Sequence, residues 1–356
     1  MRRDTRALKV GTVQVGGGAP VSVQTMANAS PHDAEALSAQ IERCAAVGAD
    51  IVRLTVPDAA AAEVFAAVRR KSPVPLVADV HFDYRLALAS IEVGCDALRI
   101  NPGNIGAPAR VAEVARAAAA KAVPIRIGVN SGSLEKDILE RHGSATAEAL
   151  VESALRHLEM LEKEGFRDVA ISVKASDVPR TVAAYRILSE RTDCPLHLGV
   201  TEAGTLLPGT VRTSVALGIL LSEGIGDTIR VSLADVPERE VKVGLEILRS
   251  LGLRPPGPSV TCCPTCGRTK VDVPRVASEV EAALEVLARS SKRPLPRVAV
   301  MGCVVNGPGE ARDADVALCG GDGFFILFVR GKQVRRVAEA ESVQAVLSCV
   351  ERFAGG

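Results

Sequence analysis

The chain has no tryptophan and only two tyrosines and seven phenylalanines among its 356 residues. Aromatic side chains at 3% provide few ring faces on which nucleobases or sugars could stack. An excess of charge is also lacking, because 43 basic residues balance 42 acidic ones. A protein that binds nucleic acid through its phosphates needs a basic surplus, so the composition argues against nucleic acid as a partner.

Long hydrophobic runs are missing too. No uninterrupted apolar stretch reaches the length that spans a membrane, and the basic segment 1–15 contains no apolar signal core. Hydrophobic residues nevertheless make up 47% of the chain and charged residues 24%, which excludes a disordered protein. We therefore expect a soluble cytoplasmic protein with no membrane partner, long enough for two domains.

What the sequence does contain is a repeated pattern of a β-branched run, a polar or glycine-rich tip and an alanine- and leucine-rich helical stretch. Predicted strands lie at residues 21–24, 51–55, 76–80, 97–101, 125–130, 169–174, 196–201 and 229–233. Predicted helices lie at residues 33–47, 59–70, 84–93, 110–121, 146–164, 179–190, 210–222 and 238–250. Eight such units predict an α/β TIM barrel over residues 1–254. Ahead of them, residues 8–23 predict a hairpin that turns at the three glycines 16–18.

The texture changes after residue 254. A proline-rich linker at 255–258 cannot continue a helix. Residues 259–356 then predict a small α+β domain, with helices at 274–290 and 341–352 and strands at 297–302, 315–318 and 324–329. Five of the nine cysteines fall between residues 262 and 319 of this second domain.

Polar side chains recur where the barrel strands end. Active sites of TIM barrels lie at these carboxyl ends. The residues concerned are Gln24, Arg53, Asp79, His81, Arg99, Asn101, Arg126, Asn130, Lys174, His197, Glu202, Arg230 and Ser232. Five permanent cations at one mouth, with only Asp79 and Glu202 expected to neutralise them, predict a small anionic substrate such as a diphosphate. Two other interpretations remain: single arginines in structural ion pairs, and Lys174 as a Schiff-base lysine.

Cysteines supply the second site. Cys263 and Cys266 form a C-x-x-C pair, and Cys303 adds a third thiolate beyond it. Spacing alone suits either a structural zinc site, with Cys319 as the fourth ligand, or a [4Fe–4S] cluster. Glu310, after a stiff glycine–proline loop, favours the cluster because a carboxylate can occupy an iron that substrate later takes.

Eight ordered motifs between residues 8 and 310 resemble the 4-hydroxy-3-methylbut-2-enyl diphosphate synthase family. They are ADVHFDYR at 78–85, LRINPGNIG at 98–106, PIRIGVNSGSLEKD at 124–137, VKASDV at 173–178, LHLGVTEAG at 196–204, LLSEGIGDTIRVSL at 220–233, CPTCGR at 263–268 and VMGCVVNGPGE at 300–310. The resemblance implies the bacterial two-domain form, a TIM barrel followed by a [4Fe–4S] domain related to sulfite and nitrite reductases.

The resemblance also implies the chemistry. The reaction opens the ring of 2-C-methyl-D-erythritol 2,4-cyclodiphosphate and removes a hydroxyl with two electrons and protons, with flavodoxin or ferredoxin as donor. Cys263, Cys266, Cys303 and Glu310 would hold the cluster, with Cys262 a neighbour and Cys319 in the domain core. Implied substrate-pocket positions are Arg53, His81, Arg99, Arg126, Asn130, Lys174, Glu202, Arg230 and Ser232, with Glu310, Glu202 and His81 in catalytic roles. Family members are typically head-to-tail homodimers.

Two alternatives stay open. One is an aldolase or lyase that uses Lys174 as a Schiff base beside a structural zinc domain. The other is an iron–sulfur sensor that binds a phosphorylated metabolite without turning it over.

Overall fold

The structure, a computed structural model, describes residues 2–105, 107–258, 260–291, 293–303, 305, 307–310 and 312–355, without the side chains of residues 102, 289, 290, 308, 310, 354 and 355. The chain divides into two compact units, Met1–Arg254 and Pro255–Gly356. Within the described ranges, no helix is both long and apolar enough to cross a lipid bilayer.

Eight parallel strands form the closed barrel of the first unit. They are β3 (Ser22–Met26), β4 (Ile51–Thr55), β5 (Leu76–Asp79), β6 (Ala97–Ile100), β7 (Ile125–Asn130), β8 (Val169–Lys174), β9 (His197–Leu198) and β10 (Thr228–Ile229). Strands β3 to β8 pair in chain order, β9 pairs with β10, and β10 returns to pair with β3. A bridge between Ile171 and Leu196 joins β8 to the segment that leads into β9. This architecture confirms the predicted TIM barrel.

Helices surround the strands. They are α1 (Ala34–Ala46), α2 (Ala59–Arg69), α3 (Tyr84–Glu92), α4 (Pro102–Ile105), α5 (Pro108–Lys121), α6 (Lys136–His142), α7 (Ala147–Glu162), α8 (Val178–Arg191), α9 (Leu206–Ser222) and α10 (Pro237–Ser250). Asp33, Asp58 and Asp177 cap α1, α2 and α8 by accepting backbone N–H groups, which explains why these helices begin directly after an aspartate. The short helices α4 and α6 are additions that the sequence pattern did not predict.

The N-terminal hairpin differs from its prediction. Its strands are β1 (Ala7–Val10) and β2 (Val13–Gly16), so the chain turns at residues 11–12 and not at glycines 16–18. Gly11 has a φ of +56°, the left-handed conformation that a two-residue hairpin turn requires. Val10 and Val15 pack against Ile51 and Val77, so the hairpin covers the amino-terminal end of the barrel.

The second unit is a five-stranded mixed sheet, with two long helices against one face and a short helix against the other. Its strands are β11 (Val260–Cys262), β12 (Val298–Met301), β13 (Val316–Gly320), β14 (Phe324–Val329) and β15 (Lys332–Ala338), in that spatial order. The first three strands are parallel and the last three antiparallel. Its helices are α11 (Val273–Ser290), α12 (Gly307–Glu310) and α13 (Ser342–Gly355). Leu284 and Val346, from α11 and α13, belong to its main buried cluster.

Candidate active site in the barrel and a cysteine-rich loop pair

A polar pocket of about 260 Å³ opens among the carboxyl ends of the barrel strands. Its lining comprises Met26, Arg53, Thr55, Asp79, His81, Arg99, Arg126, Asn130, Ser172, Lys174, Val200, Thr201 and Arg230. The closed barrel therefore brings together, from separate strands, all five cations that sequence analysis assigned to the mouth.

Asp79 is the first carboxylate that neutralises these cations. It is buried, and it accepts a hydrogen bond from Arg99 Nη1 at 3.1 Å. Arg53 Nε lies 3.6 Å and His81 Nε2 lies 3.5 Å from its carboxylate oxygens. Burial by itself would raise the pKa of this carboxyl group, but the charge of Arg53 and the neighbouring groups of His81 and Arg99 hold the pKa well below its usual range. Asp79 is therefore ionised across the neutral range.

His81 lies between Arg99 and Asp79. Its Nε2 is 2.8 Å from Arg99 Nη1 and 3.5 Å from Asp79 Oδ1. The side chain of His81 is 42% exposed, so its imidazole stands at the rim of the pocket.

Glu240 is the second neutralising carboxylate, and sequence analysis missed it. It lies on α10, outside the strands, and is only 3% exposed. Its oxygens accept from Arg230 Nη2 at 3.0 and 3.3 Å, from Thr25 Oγ1 at 2.9 Å and from the Leu233 N–H at 2.9 Å. Burial lowers the pKa of Arg230, and the charge of Glu240 opposes that shift. The only available signal was an acidic residue on the inner face of a predicted helix.

Lys174 and Arg126 have no such partner. Both are more than nine-tenths buried, and within the described part of the chain neither forms an ion pair. Burial, followed by the charges of Arg126 and Arg230, lowers the pKa of Lys174 well below its ordinary value. Burial likewise lowers the pKa of Arg126, whose Nη2 has no hydrogen-bond partner. With Lys174 protonated, five cations against two carboxylates leave an excess of three positive charges.

Two glycines make room for these cations. A Cβ added at Gly128, on β7, would lie 2.3 Å from Arg99 Nε. One at Gly199, just after β9, would lie 2.6 Å from the Arg230 carbonyl oxygen and 2.7 Å from Lys174 Nζ. A side chain at either position would therefore collide with the neighbouring cation as it stands in the pocket.

Other predicted site residues are placed differently. Asn130 lines the pocket, and Ser232 accepts a hydrogen bond from Arg230 Nη1 at 3.2 Å. Asn101 turns to the adjacent loop, where it contacts Ser133 Oγ at 3.4 Å. Glu202 is exposed on the loop after β9 with a left-handed φ of +51°, and it forms no ion pair within the described ranges. It is therefore not the neutralising carboxylate that we expected.

Gln24 and His197 correct the prediction further. Both were assigned to the mouth, but they line a second cavity deeper in the barrel, on the side closed by the N-terminal hairpin. Alternation along a strand tells which side chains point inward, but not at which depth of the barrel they lie.

Three cysteines of the second unit, Cys263, Cys266 and Cys303, lie on loops that follow two adjacent strands of its sheet. Cys263 directly follows β11 and donates its N–H to Val300 O at 3.1 Å, while Cys303 lies just past the end of β12. Carboxyl ends of adjacent parallel strands meet at the same edge. Cys263 Sγ accepts a hydrogen bond from the Thr265 N–H at 3.3 Å, and Cys266 follows exposed in the same loop.

Cys262 and Cys319 have different surroundings from these three. Cys262 is exposed at the end of β11, whereas Cys263 is partly buried against the small core of β12 and β13. Cys319 is 1% exposed in that core, and burial, with the charge of Cys303 as a smaller cause, raises the pKa of Cys319 to about 12.

The thiols on these two loops are of the kind that an iron–sulfur cluster needs. Three cysteines on two loops at one sheet edge, none in a disulfide, offer the soft thiolate ligands that iron–sulfur clusters take. The side chain of Glu310 lies outside the described residues. Within those that are described, no three His, Cys, Asp or Glu side chains converge closely enough to hold an ion. The donor chemistry fits a cluster with three cysteine ligands, and the loops would bring the sulfur atoms together around it.

Fold and site together define a TIM-barrel protein with a cationic barrel mouth and a cysteine-bearing C-terminal domain. The family model described as the GcpE TIM-barrel domain matches residues 5–245, and the model of the GcpE protein C-terminal domain matches residues 259–352. The chain belongs to the GcpE family.

Curated relatives in this family share a name. The 4-hydroxy-3-methylbut-2-en-1-yl diphosphate synthase (flavodoxin) of Geobacter sulfurreducens is 54% identical over 353 residues, covering 99% of each chain. The synthase of the same name from Symbiobacterium thermophilum is 53% identical and covers 99% of this chain and 94% of its own. That of Clostridium acetobutylicum is 51% identical and covers 99% of both.

Among solved structures, the dihydropteroate synthase of Yersinia pestis in complex with a sulfonamide drug is similar in fold. It superposes with a TM-score of 0.50 at 16% identity and covers 70% of this chain and 100% of its own. A likeness at that identity concerns the barrel fold alone.

Proposed function

We propose that this protein is a reductase that converts 2-C-methyl-D-erythritol 2,4-cyclodiphosphate into 4-hydroxy-3-methylbut-2-enyl diphosphate. The substrate takes up two electrons and two protons, its ring opens, and one hydroxyl oxygen leaves as water. The observation that carries the proposal is a barrel mouth where five basic side chains meet only two neutralising carboxylates, in a family whose curated relatives are named for this diphosphate product.

The barrel side chains bind and orient the diphosphate. No carboxylate of the described residues forms an ion pair with Lys174 or Arg126, so phosphate oxygens supply the negative charge that makes their burial favourable. Arg53, Arg99 and Arg230 keep part of their N–H groups on Asp79 and Glu240, which holds the guanidinium planes in place. When the ring opens, one phosphate oxygen gains charge, and these preset cations stabilise it.

Two residues are proposed for proton transfer. His81 stands at the rim of the pocket, with its Nε2 2.8 Å from Arg99 Nη1. Glu202 directly follows Thr201, which lines the pocket, and has a left-handed φ of +51° that is unusual for this residue type. Each could pass a proton taken from solvent to the leaving hydroxyl.

Cys263, Cys266 and Cys303 would hold a [4Fe–4S] cluster, with Glu310 proposed as the fourth ligand on the family resemblance alone. Such a cluster, when bound, supplies electrons one at a time and a Lewis-acidic iron. The Thr265 N–H, which already points at Cys263 Sγ, would stabilise that sulfur as a thiolate.

Flavodoxin, or ferredoxin in its place, is the proposed electron donor, and the relatives' names specify flavodoxin. We further propose a homodimer, to be tested by light scattering of the purified protein. A cytoplasmic location is proposed because nine reduced cysteines suit a reducing compartment.

The experiment begins with iron and sulfide analysis of anaerobically purified protein, then electron paramagnetic resonance after reduction, with and without the cyclodiphosphate. Four irons and four sulfides per chain, the content of one cubane cluster, with a substrate-dependent signal and product formed by reduced flavodoxin, would support the proposal. Stoichiometric zinc under conditions that preserve clusters would refute it.

The comparisons give the Schiff-base lyase no support, although Lys174 shares the lowered pKa of such lysines. Borohydride trapping of a substrate adduct on Lys174 would reveal that chemistry. Substrate binding and reversible reduction without product would instead indicate a sensor.

A further inference from the structure

A second cavity lies inside the barrel, on the side closed by the N-terminal hairpin. The volume of this cavity is about 30 Å³. Leu8, Val10 and Val15 close it from the hairpin, and strands contribute its polar lining. Those polar residues are Gln24 on β3, Arg126 on β7, His197 on β9 and Thr228 on β10.

Five side-chain atoms of this polar lining have no hydrogen-bond partner in the described part of the chain. Gln24 Oε1, Arg126 Nη2, both ring nitrogens of His197 and Thr228 Oγ1 are all buried without a hydrogen bond. Each of the four residues is at most 6% exposed. Buried polar side chains are almost always hydrogen-bonded, to protein or to ordered water, so four such neighbours in one cavity indicate a shared ligand.

The donors and acceptors of the lining select the ligand. Arg126 can only donate, Gln24 Oε1 can only accept, and Thr228 does both. Burial, followed by the charges of Arg126 and Lys174, lowers the pKa of His197 well below its ordinary value, so its neutral ring has one donor and one acceptor. The arginine repels cations, and the acceptors disfavour an anion. Water donates and accepts, and the volume holds about two molecules.

Arg126 connects this cavity to the mouth, because it lines both. We infer that the cavity holds ordered water joining Arg126 Nη2 to Gln24, His197 and Thr228, and that these three are positioning residues for the arginine. The link to diphosphate binding rests on the proposed function. Thr228 and His197 are register neighbours on adjacent strands, so closure of the barrel assembles the water site.

The test compares two replacements of similar size, His197→Leu and His197→Gln, in the cluster-loaded protein without reductant. Calorimetry gives the Kd of the cyclodiphosphate. We expect His197→Leu to raise the Kd about tenfold, the loss of one hydrogen bond to a charged group, and His197→Gln to stay within about threefold. Thr228→Val should weaken binding in the same direction, and Thr213→Val, which removes another buried unpartnered hydroxyl on α9, should not.

A crystal structure of the wild-type protein is the second readout, and circular dichroism checks that each variant is folded. Waters bonded to Arg126 Nη2 in the cavity, together with the Leu/Gln difference, would support the inference. A dry cavity, or equal affinities of the two His197 variants, would overturn it. If the wild type does not bind the cyclodiphosphate, the proposed function fails, while the crystal structure still decides whether the water is there.

Discussion

Replacing Gly128 with alanine is the sharpest perturbation of the mouth. A Cβ at this position would lie 2.3 Å from Arg99 Nε, 2.6 Å from Nη2 and 2.8 Å from Cζ. Gly128 has no positive φ, so alanine fits the strand backbone and the only conflict is with the guanidinium group. Arg99 must move, and it then gives up its bonds to Asp79 and His81.

The expected loss follows from those contacts. A hydrogen bond between charged groups contributes about 1.5–3 kcal/mol, so displacing Arg99 from a bound diphosphate raises its Kd by about 10- to 150-fold. The free energy of unfolding falls by about 1–3 kcal/mol, because Asp79 loses one of its partners.

Calorimetry of the cluster-loaded protein with the cyclodiphosphate, without reductant, measures the first effect, and urea unfolding measures the second. Gly132→Ala is the matched control, since a Cβ there has no atom within 4 Å. A folded Gly128→Ala protein that binds as tightly as Gly132→Ala would refute the assignment of Arg99 to the diphosphate site.

Three further predictions concern the two units. Glu240→Gln should lower the free energy of unfolding by about 3 kcal/mol, because Arg230 is left as a buried charge without its counter-ion. Denaturant unfolding measures this change, and an unchanged unfolding midpoint would contradict the prediction. Because the pKa of Asp79 is depressed in the fold, the stability it contributes is present above its unfolded pKa of about 3.9 and is lost as the pH falls below it. The unfolding free energies of wild type and Asp79→Asn should thus differ at pH 7 and become equal in acid. A difference that stays the same from pH 7 into acid would count against this prediction. Cys263→Ala should abolish bound iron while Cys319→Ala retains it, as iron analysis of anaerobically purified variants would show; the reverse order would exclude the proposed ligand set.

Local sequence pattern determined most of the barrel. Buried strands alternated with amphipathic helices that begin at aspartate caps, and both signals act over a few residues. The same reasoning missed β15, whose residues are almost all exposed and therefore show no alternation, and β11, which is only three residues long. Helices α4 and α6 are likewise too short to show a helical period.

The mouth shows where sequence reasoning stops. The family resemblance named its arginines and lysine by position, and the cationic strand ends already indicated an anionic ligand. Neither the resemblance nor the strand ends indicated that Glu240, on a helix, neutralises Arg230, or that Glu202 is exposed. A side chain's partners depend on which elements the fold packs together.

By itself, the sequence determined the barrel, and it predicted the cysteine set and an anionic ligand, because each of these depends on local spacing and residue type. Only the tertiary structure decided which inward-facing residues share a level. Gln24 and His197 lie deep beside Arg126, while Arg53 and Lys174 reach the mouth. The physical reason is that depth depends on the stagger between strands, which hydrogen-bond register sets only when the barrel closes.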